Sequence, residues 1–134
     1  MYNAIQGNVG LGRAIAYFTS KAITVCLPLN DTQKYDLVID TLAGLQKVSV
    51  KTTKFKNKQN NYEVLLKNCG GSSGKSKIRV FDNTTCDYLF VLSGDDRMYL
   101  IPSKDVAAKH SLSLSKKWDK YIVTFDSLDD LITE

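Results

Sequence analysis

Two β-branched, apolar runs close together in the chain restrict its folding more than any other feature. The first is Tyr35-Asp36-Leu37-Val38-Ile39-Asp40; the second runs from Leu45 to Thr53 and ends in Val48-Ser49-Val50-Lys51-Thr52-Thr53. Between them Ala43-Gly44 supplies turn chemistry, so the pair reads as an antiparallel hairpin. Side chains alternate along a strand, which puts Asp36, Val38 and Asp40 on one side of the first strand and Ser49 and Lys51 on one side of the second. A carboxylate at the start of one strand core and an amine deep in its partner are costly to desolvate. They must pair with each other or take part in chemistry.

The rest of the chain supplies layers for this hairpin. Leu11, Ala14, Ile15 and Phe18 recur at three- and four-residue spacing, which predicts a helix over 7–20 with Asn8 as its cap. Gly7, Gly10 and Gly12 in that stretch read as close helix packing, because no strand precedes them and their order is not G-x-G-x-x-G. Strands are predicted at Ala22 to Leu27, ended by Pro28, and at Tyr62 to Lys67. A second hairpin is predicted from Cys86 to Leu92 and Arg97 to Ile101 across Ser93-Gly94-Asp95-Asp96. A helical turn is expected in 103–108, polar low-complexity chain from His110 to Lys117, a last strand over 118–125, and a short helix capped by Ser127. Gly70 to Ser76 reads G-x-x-x-G-K-S, one residue short of a phosphate-binding loop, and extended chain rather than a helix follows it. The fold class is therefore mixed α/β (α+β): a central, mostly antiparallel or mixed sheet with an N-terminal helix and short C-terminal helices.

With 134 residues the chain suits one domain spanning 1–134. No run approaches the roughly 18 apolar residues of a membrane span, and the start MYNAIQGN lacks the pattern of a secretory signal, so a cytoplasmic protein is expected. Cys26, Cys69 and Cys86 are odd in number and widely spaced, which suggests buried free thiols rather than a disulfide framework or a zinc site. Charge is distributed unevenly. Residues 41–81 hold nine basic side chains against the single acid Glu63, whereas residues 82–134 hold six basic and ten acidic ones. A basic block gathered on one face suits a polyanion, nucleic acid first, although a solvated lysine-rich surface has the same composition. Phe55 and Tyr62 are the aromatic residues set in that block, and the lone His110 reads as a surface residue.

Asp36, the Val50 carbonyl and Lys51 form a coherent set for metal-assisted hydrolysis, with oxygen ligands for a hard cation and a positive group near an attacking water. A buried Asp–Lys ion pair between neighbouring strands is the alternative. The order Pro28-Leu29, Tyr35-Asp36-Leu37 and Val48-Ser49-Val50-Lys51-Thr52-Thr53 resembles the PD-(D/E)XK nuclease superfamily, with its restriction-endonuclease-like core. More narrowly, GNVGLGRAIAYF, ITVCLPLNDTQKYDLVID, VSVKTT, CDYLFVL and MYLIP together are similar to its small intron-associated, homing-endonuclease branch.

That resemblance implies an endonuclease acting on DNA with Mg²⁺ (or Mn²⁺). Asp36, Ser49 and Lys51 would be catalytic, and Asp36 with the Val50 carbonyl would hold the metal. It departs from the family at two positions: Ser49 stands where Asp, Glu or Gln is usual, and no acid precedes Asp31, so Leu11 or a neighbour takes the place of a helix glutamate. Asp40 and Glu63 are the candidates to compensate, although neither matches the family motif. Lys54, Lys56, Lys58, Lys75, Lys77 and Arg79 would meet the phosphates of double-stranded DNA. Cutting both strands calls for a homodimer or homotetramer, with the apolar hairpin 86–101 and the C-terminal segment as candidate interfaces. A degenerate member that binds nucleic acid or a protein partner without cutting is the alternative reading.

Overall fold

A computed structural model describes residues 3–30, 32–66, 68–70 and 77–127. The chain enters as one helix, α1 (Asn3–Ser20). It begins well before the expected start, so Asn8 lies inside the helix and caps nothing: Ala4, Ile5 and Gln6 propagate helix as readily as the residues after Gly7. The expected apolar face is real. Ala14 and Phe18 are buried, Tyr17 joins them, and Leu11 and Ile15 pack alongside. Of the three glycines, only Gly10 packs closely: a Cβ there would lie 2.1 Å from Thr52 Oγ1, whereas Gly7 and Gly12 face open space.

Six strands form the central sheet in the order β1 (Thr24–Cys26), β2 (Leu37–Thr41), β3 (Gly44–Thr53), β7 (Tyr88–Ser93), β8 (Met98–Pro102), β10 (Ile122–Val123). Every pairing is antiparallel except β3 with β7, which run parallel from Val48 opposite Tyr88 to Thr53 opposite Ser93. A parallel neighbour requires a crossover. Residues 54–87 provide it, carrying β4 (Glu63–Leu65), β5 (Asn68–Gly70) and β6 (Lys77–Arg79). The β2–β3 hairpin closes in a two-residue turn, Leu42-Ala43, and Gly44 takes φ +102°, a conformation glycine adopts without steric cost.

The sheet is covered on both faces, and each face builds its own core. On one, α1 packs Ala14, Tyr17 and Phe18 against Leu37, Ile39, Val48 and Phe90. On the other, a ribbon of β4 with β9 (Ser111–Ser113) and the 3₁₀ turns Ser103–Asp105 and Lys116–Tyr121 cover Leu89, Val91, Tyr99 and Ile101. Four sequence expectations change here. The polar stretch after His110 contains β9, where Leu112 and, just past the strand, Leu114 are buried at strand spacing. The expected strand over 118–125 is a 3₁₀ helix up to Tyr121, because a three-residue repeat brings Trp118 and Tyr121 together at 5.9 Å, leaving only Ile122 and Val123 as strand. Cys26 is exposed, whereas Cys86 is buried as expected. The apolar strands of hairpin 86–101, expected to be exposed for an interface, are buried in the middle of the sheet, and its turn at residues 94–97 is what stays exposed. The phosphate-loop-like residues 71–76 and the expected helix from 128 onward lie outside the described residues.

Candidate active site

β2 stops short of β3, and that mismatch creates the site. The last paired residues are Leu37 and Val48, and Asp36 N–H adds one more rung to the Val48 carbonyl at 2.8 Å. Two residues further along β3 the backbone groups of Val50 face the same edge, since successive residues of a strand point their N–H and C=O to opposite sides. Asp36 has by then left the strand. Its carboxylate takes the next rung instead, with Oδ2 accepting Val50 N–H at 2.6 Å. The Val50 carbonyl shares that edge beside an exposed carboxylate, and one step beyond, the Thr52 carbonyl accepts Gln6 Nε2 of α1 at 3.5 Å.

The faces of β3 are divided between the two layers. Val48, Val50 and Thr52 turn towards α1, which approaches closely at Gly10. Ser49, Lys51 and Thr53 turn the other way. Ser49, only 6 % exposed, and Lys51 line a cleft of about 210 Å³ together with Gln33, Lys34, Asp82 and Thr85. Asp36 lines a second, shallower cleft of about 630 Å³ with Leu11, Pro28, Tyr35 and again Gln33. Burial pushes the Lys51 amine below the usual lysine value, and the negative charge of Asp36 pulls it partly back, so carboxylate and amine act on each other across the strand end. Burial pushes the Cys86 thiol up, against the opposing pull of Ser103 Oγ at 3.1 Å.

Asp36 meets Val50 through its carboxylate, whereas Lys51, one residue further on, lines the other cleft and meets Asp36 through its charge. Ser49 is adjacent in the chain, but its hydroxyl belongs to the Lys51 cleft and not to that of Asp36. Leu11 occupies the carboxylate's cleft, where a helix acid would have faced Asp36. Neither proposed substitute reaches it. Asp40 lines a cleft with Tyr17 and Leu42, and Glu63 accepts Asn57 Nδ2 at 3.4 Å. Among the described residues no group of three or more His, Cys, Asp or Glu is placed to hold a metal. One carboxylate and one backbone carbonyl still fit a cation such as Mg²⁺, which keeps several waters and shares substrate phosphates.

Lys54, Lys56 and Lys58 are exposed in the segment that leaves β3. Lys77 and Arg79 stand on β6, immediately before Val80 and Phe81, which line the Lys51 cleft; Lys75 lies outside the described residues. Sequence reasoning missed Gln33, shared by both clefts, and Asp82, whose Oδ1 accepts the Thr84 N–H at 2.9 Å and the Thr84 hydroxyl at 2.6 Å. Both sit in loops, where no periodicity marks them; an Asp two residues before Thr is a turn signal and carries no more than that. His110 is exposed, as expected.

No curated protein sequence matches this chain. The solved structure of a bacterial homing endonuclease, I-Ssp6803I, superposes with a TM-score of 0.73 at 22% identity, covering 87% of this chain and 80% of that one, which shows a shared fold. Residues 1–120 match the family model described as PD-(D/E)XK endonuclease. With the N-terminal helix, the mixed sheet and the hairpin that places Asp36 against Val50, that match shows that this chain belongs to the PD-(D/E)XK endonuclease family.

Proposed function

We propose that this chain hydrolyses phosphodiester bonds of double-stranded DNA with a divalent cation, Mg²⁺ or Mn²⁺, held by the Asp36 carboxylate and the Val50 carbonyl. One observation carries the reading: β2 ends so that the Asp36 carboxylate occupies the open edge of β3 at Val50, one residue from Lys51. When bound, the cation supplies positive charge that offsets the developing charge on the phosphate and lowers the pKa of a water. Asp36 keeps one oxygen on Val50 N–H, which fixes the carboxylate's orientation while the other oxygen remains for the ion. Lys51, in its cationic form, orients the attacking water and faces the phosphate. Ser49 contributes a neutral hydroxyl beside Lys51. Lys54, Lys56 and Lys58, with Lys75, Lys77 and Arg79, are the phosphate-contacting set, and a symmetric homodimer or homotetramer brings a second site to the other strand. No helix among the described residues is long and apolar enough to cross a membrane.

Leu11 beside Asp36 supports a second reading, a degenerate relative that binds without cutting. Incubating purified protein with supercoiled plasmid and Mg²⁺ or Mn²⁺ separates the two. Metal-dependent nicking is expected; salt-sensitive binding without nicking under either metal establishes the degenerate reading.

A further inference from the structure

Phe55 is 62 % exposed, yet the backbone beneath it is tied by hydrogen bonds on both sides. Its N–H donates to Thr53 Oγ1 at 3.3 Å, and its carbonyl accepts Glu63 N–H at 2.9 Å. Next to it Lys56 bridges to Tyr62, with its amine 5.0 Å from the Tyr62 ring centre. Asn57 then organises the turn: its Oδ1 accepts the N–H groups of Gln59 and Asn61, both at 3.1 Å, and its Nδ2 reaches Ser113 Oγ at 3.0 Å. Gly94 supports the segment from below, where a Cβ would lie 3.0 Å from the Tyr62 ring and 3.4 Å from Lys54 Cα. The backbone that carries this exposed ring is thereby held in one place.

Its surroundings are those of a nucleic-acid surface. Lys54, Lys56 and Lys58 are all exposed around it. The groove beside it, about 470 Å³, is lined by Gln6, Thr52, Thr53, Glu63 and the exposed Leu65. That groove lies on the same open edge of β3 as Asp36: Val50 meets the carboxylate there, Thr52 meets Gln6, and Phe55 follows. Phe55 lies four positions along the chain from Lys51, at most roughly 13 Å away.

We propose that Phe55 is a wedge that inserts between base pairs of duplex DNA, with Lys54, Lys56 and Lys58 on the flanking phosphates. The inference rests on the DNA reading above and goes beyond it. An apolar side chain fixed on a rigid backbone partly unstacks one base step and kinks the duplex, and the lysines supply the sequence-independent attraction that brings the duplex onto it. Insertion at one end of the open edge bends the neighbouring backbone towards Asp36 at the other.

Wedge insertion unwinds DNA, so it can be read without knowing a target sequence. The full-length Asp36→Ala chain, in EDTA so that no cleavage intervenes, is bound to closed circular plasmid, the plasmid is relaxed by a metal-independent topoisomerase, and the linking number is measured. Phe55→Ala and Phe55→Leu are compared in that background at equal occupancy, set by gel shift. The chain with Phe55 is expected to lower the linking number in proportion to the amount bound, Phe55→Leu to retain most of the change, and Phe55→Ala to lose it. Phe55→Ala is also expected to bind about 5- to 150-fold more weakly, the range of one lost stacking contact. Equal linking-number shifts with and without Phe55 overturn the wedge and leave the nuclease reading standing, as does binding with no shift at all. A fall in sedimenting mass on Phe55→Ala without DNA overturns it in favour of a contact between copies. Failure of the chain to bind plasmid at any salt overturns the wedge and the DNA reading together.

Discussion

β3 and β7 lie side by side and parallel, and they could hardly differ more in content. β7 is Tyr88-Leu89-Phe90-Val91-Leu92-Ser93, buried from Leu89 onward, with a partner strand on either side and a core on either face. β3 is as central at Val48, where it too is paired on both sides, but beyond that residue its β2 partner ends and its sequence turns polar: Ser49, Lys51, Thr52, Thr53. The change in composition coincides with the loss of a neighbour. An interior strand tolerates a carboxylate and an amine where an open backbone edge gives one of them a hydrogen-bond partner and the other a route to water. The candidate site depends on a strand ending early, and the candidate chemistry and the main packing fall on adjacent strands.

If this division is right, truncation in the two strands has opposite consequences. Phe90→Ala, which removes a fully buried ring from contact with Phe18 and Tyr17, should cost about 3–5 kcal/mol in denaturant unfolding. A smaller loss would mean that β7 is not the main packing element. The contact between α1 and the polar half of β3 is tested by a pair of glycines in one helix. Gly12→Ala faces open space and should stabilise by about 1 kcal/mol through helix propensity. Gly10→Ala must displace Thr52 and should be less stable than Gly12→Ala by about 1–3 kcal/mol. Equal stabilities would show that α1 does not approach β3 closely.

The same division predicts a gain in stability where function is lost. Lys51→Met should abolish nicking yet raise stability by about 0.5–2 kcal/mol at neutral pH, because burial costs the amine more than the charge of Asp36 returns. The sign can be checked with pH. The folded pKa of Lys51 lies below the unfolded value of 10.5, so between the two the unfolded chain holds the extra proton and stability rises with pH. The advantage of Lys51→Met should therefore be full below the folded pKa and shrink as pH approaches 10.5. Nicking that needs the ammonium form should fall off on the alkaline side below that same value. Smallest is the effect of the surface lysines: replacing Lys54, Lys56 and Lys58 by Ala should reduce the salt slope of DNA binding by at most about 2.7, near 0.9 for each phosphate contact.

Much of this was legible in the sequence because the informative patterns are local. The period-two alternation from Tyr35 to Thr53 gave the hairpin and its two faces, and Leu11, Ala14 and Phe18 gave the face of α1. What escaped has a physical reason in each case. Leu112 and Leu114 carry strand spacing, but serines surround them and dilute the signal. Trp118 and Tyr121 are as compatible with a strand as with a 3₁₀ turn until their ring contact is seen. The parallel pairing of β3 with β7 joins residues about forty positions apart, and nothing local encodes it. The site divides along the same line. Asp36, Val50 and Lys51 lie within one hairpin and were legible, whereas Gln33 and Asp82 reach the clefts through loops whose course depends on the whole fold.

The most direct test of the account compares two aspartates of one strand region: Asp36, which meets Val50 at the open edge, and Asp40, which lies four residues away and opposite Leu45. Single-turnover nicking of plasmid DNA in Mg²⁺ is measured for the unaltered chain, Asp36→Ala and Asp40→Ala at equal DNA occupancy. Asp36→Ala is expected to bind still but to nick on the order of 10³-fold more slowly, from the loss of several kcal/mol of electrostatic stabilisation, while Asp40→Ala nicks at the unaltered rate. Nicking by Asp36→Ala at the rate of Asp40→Ala would contradict that expectation.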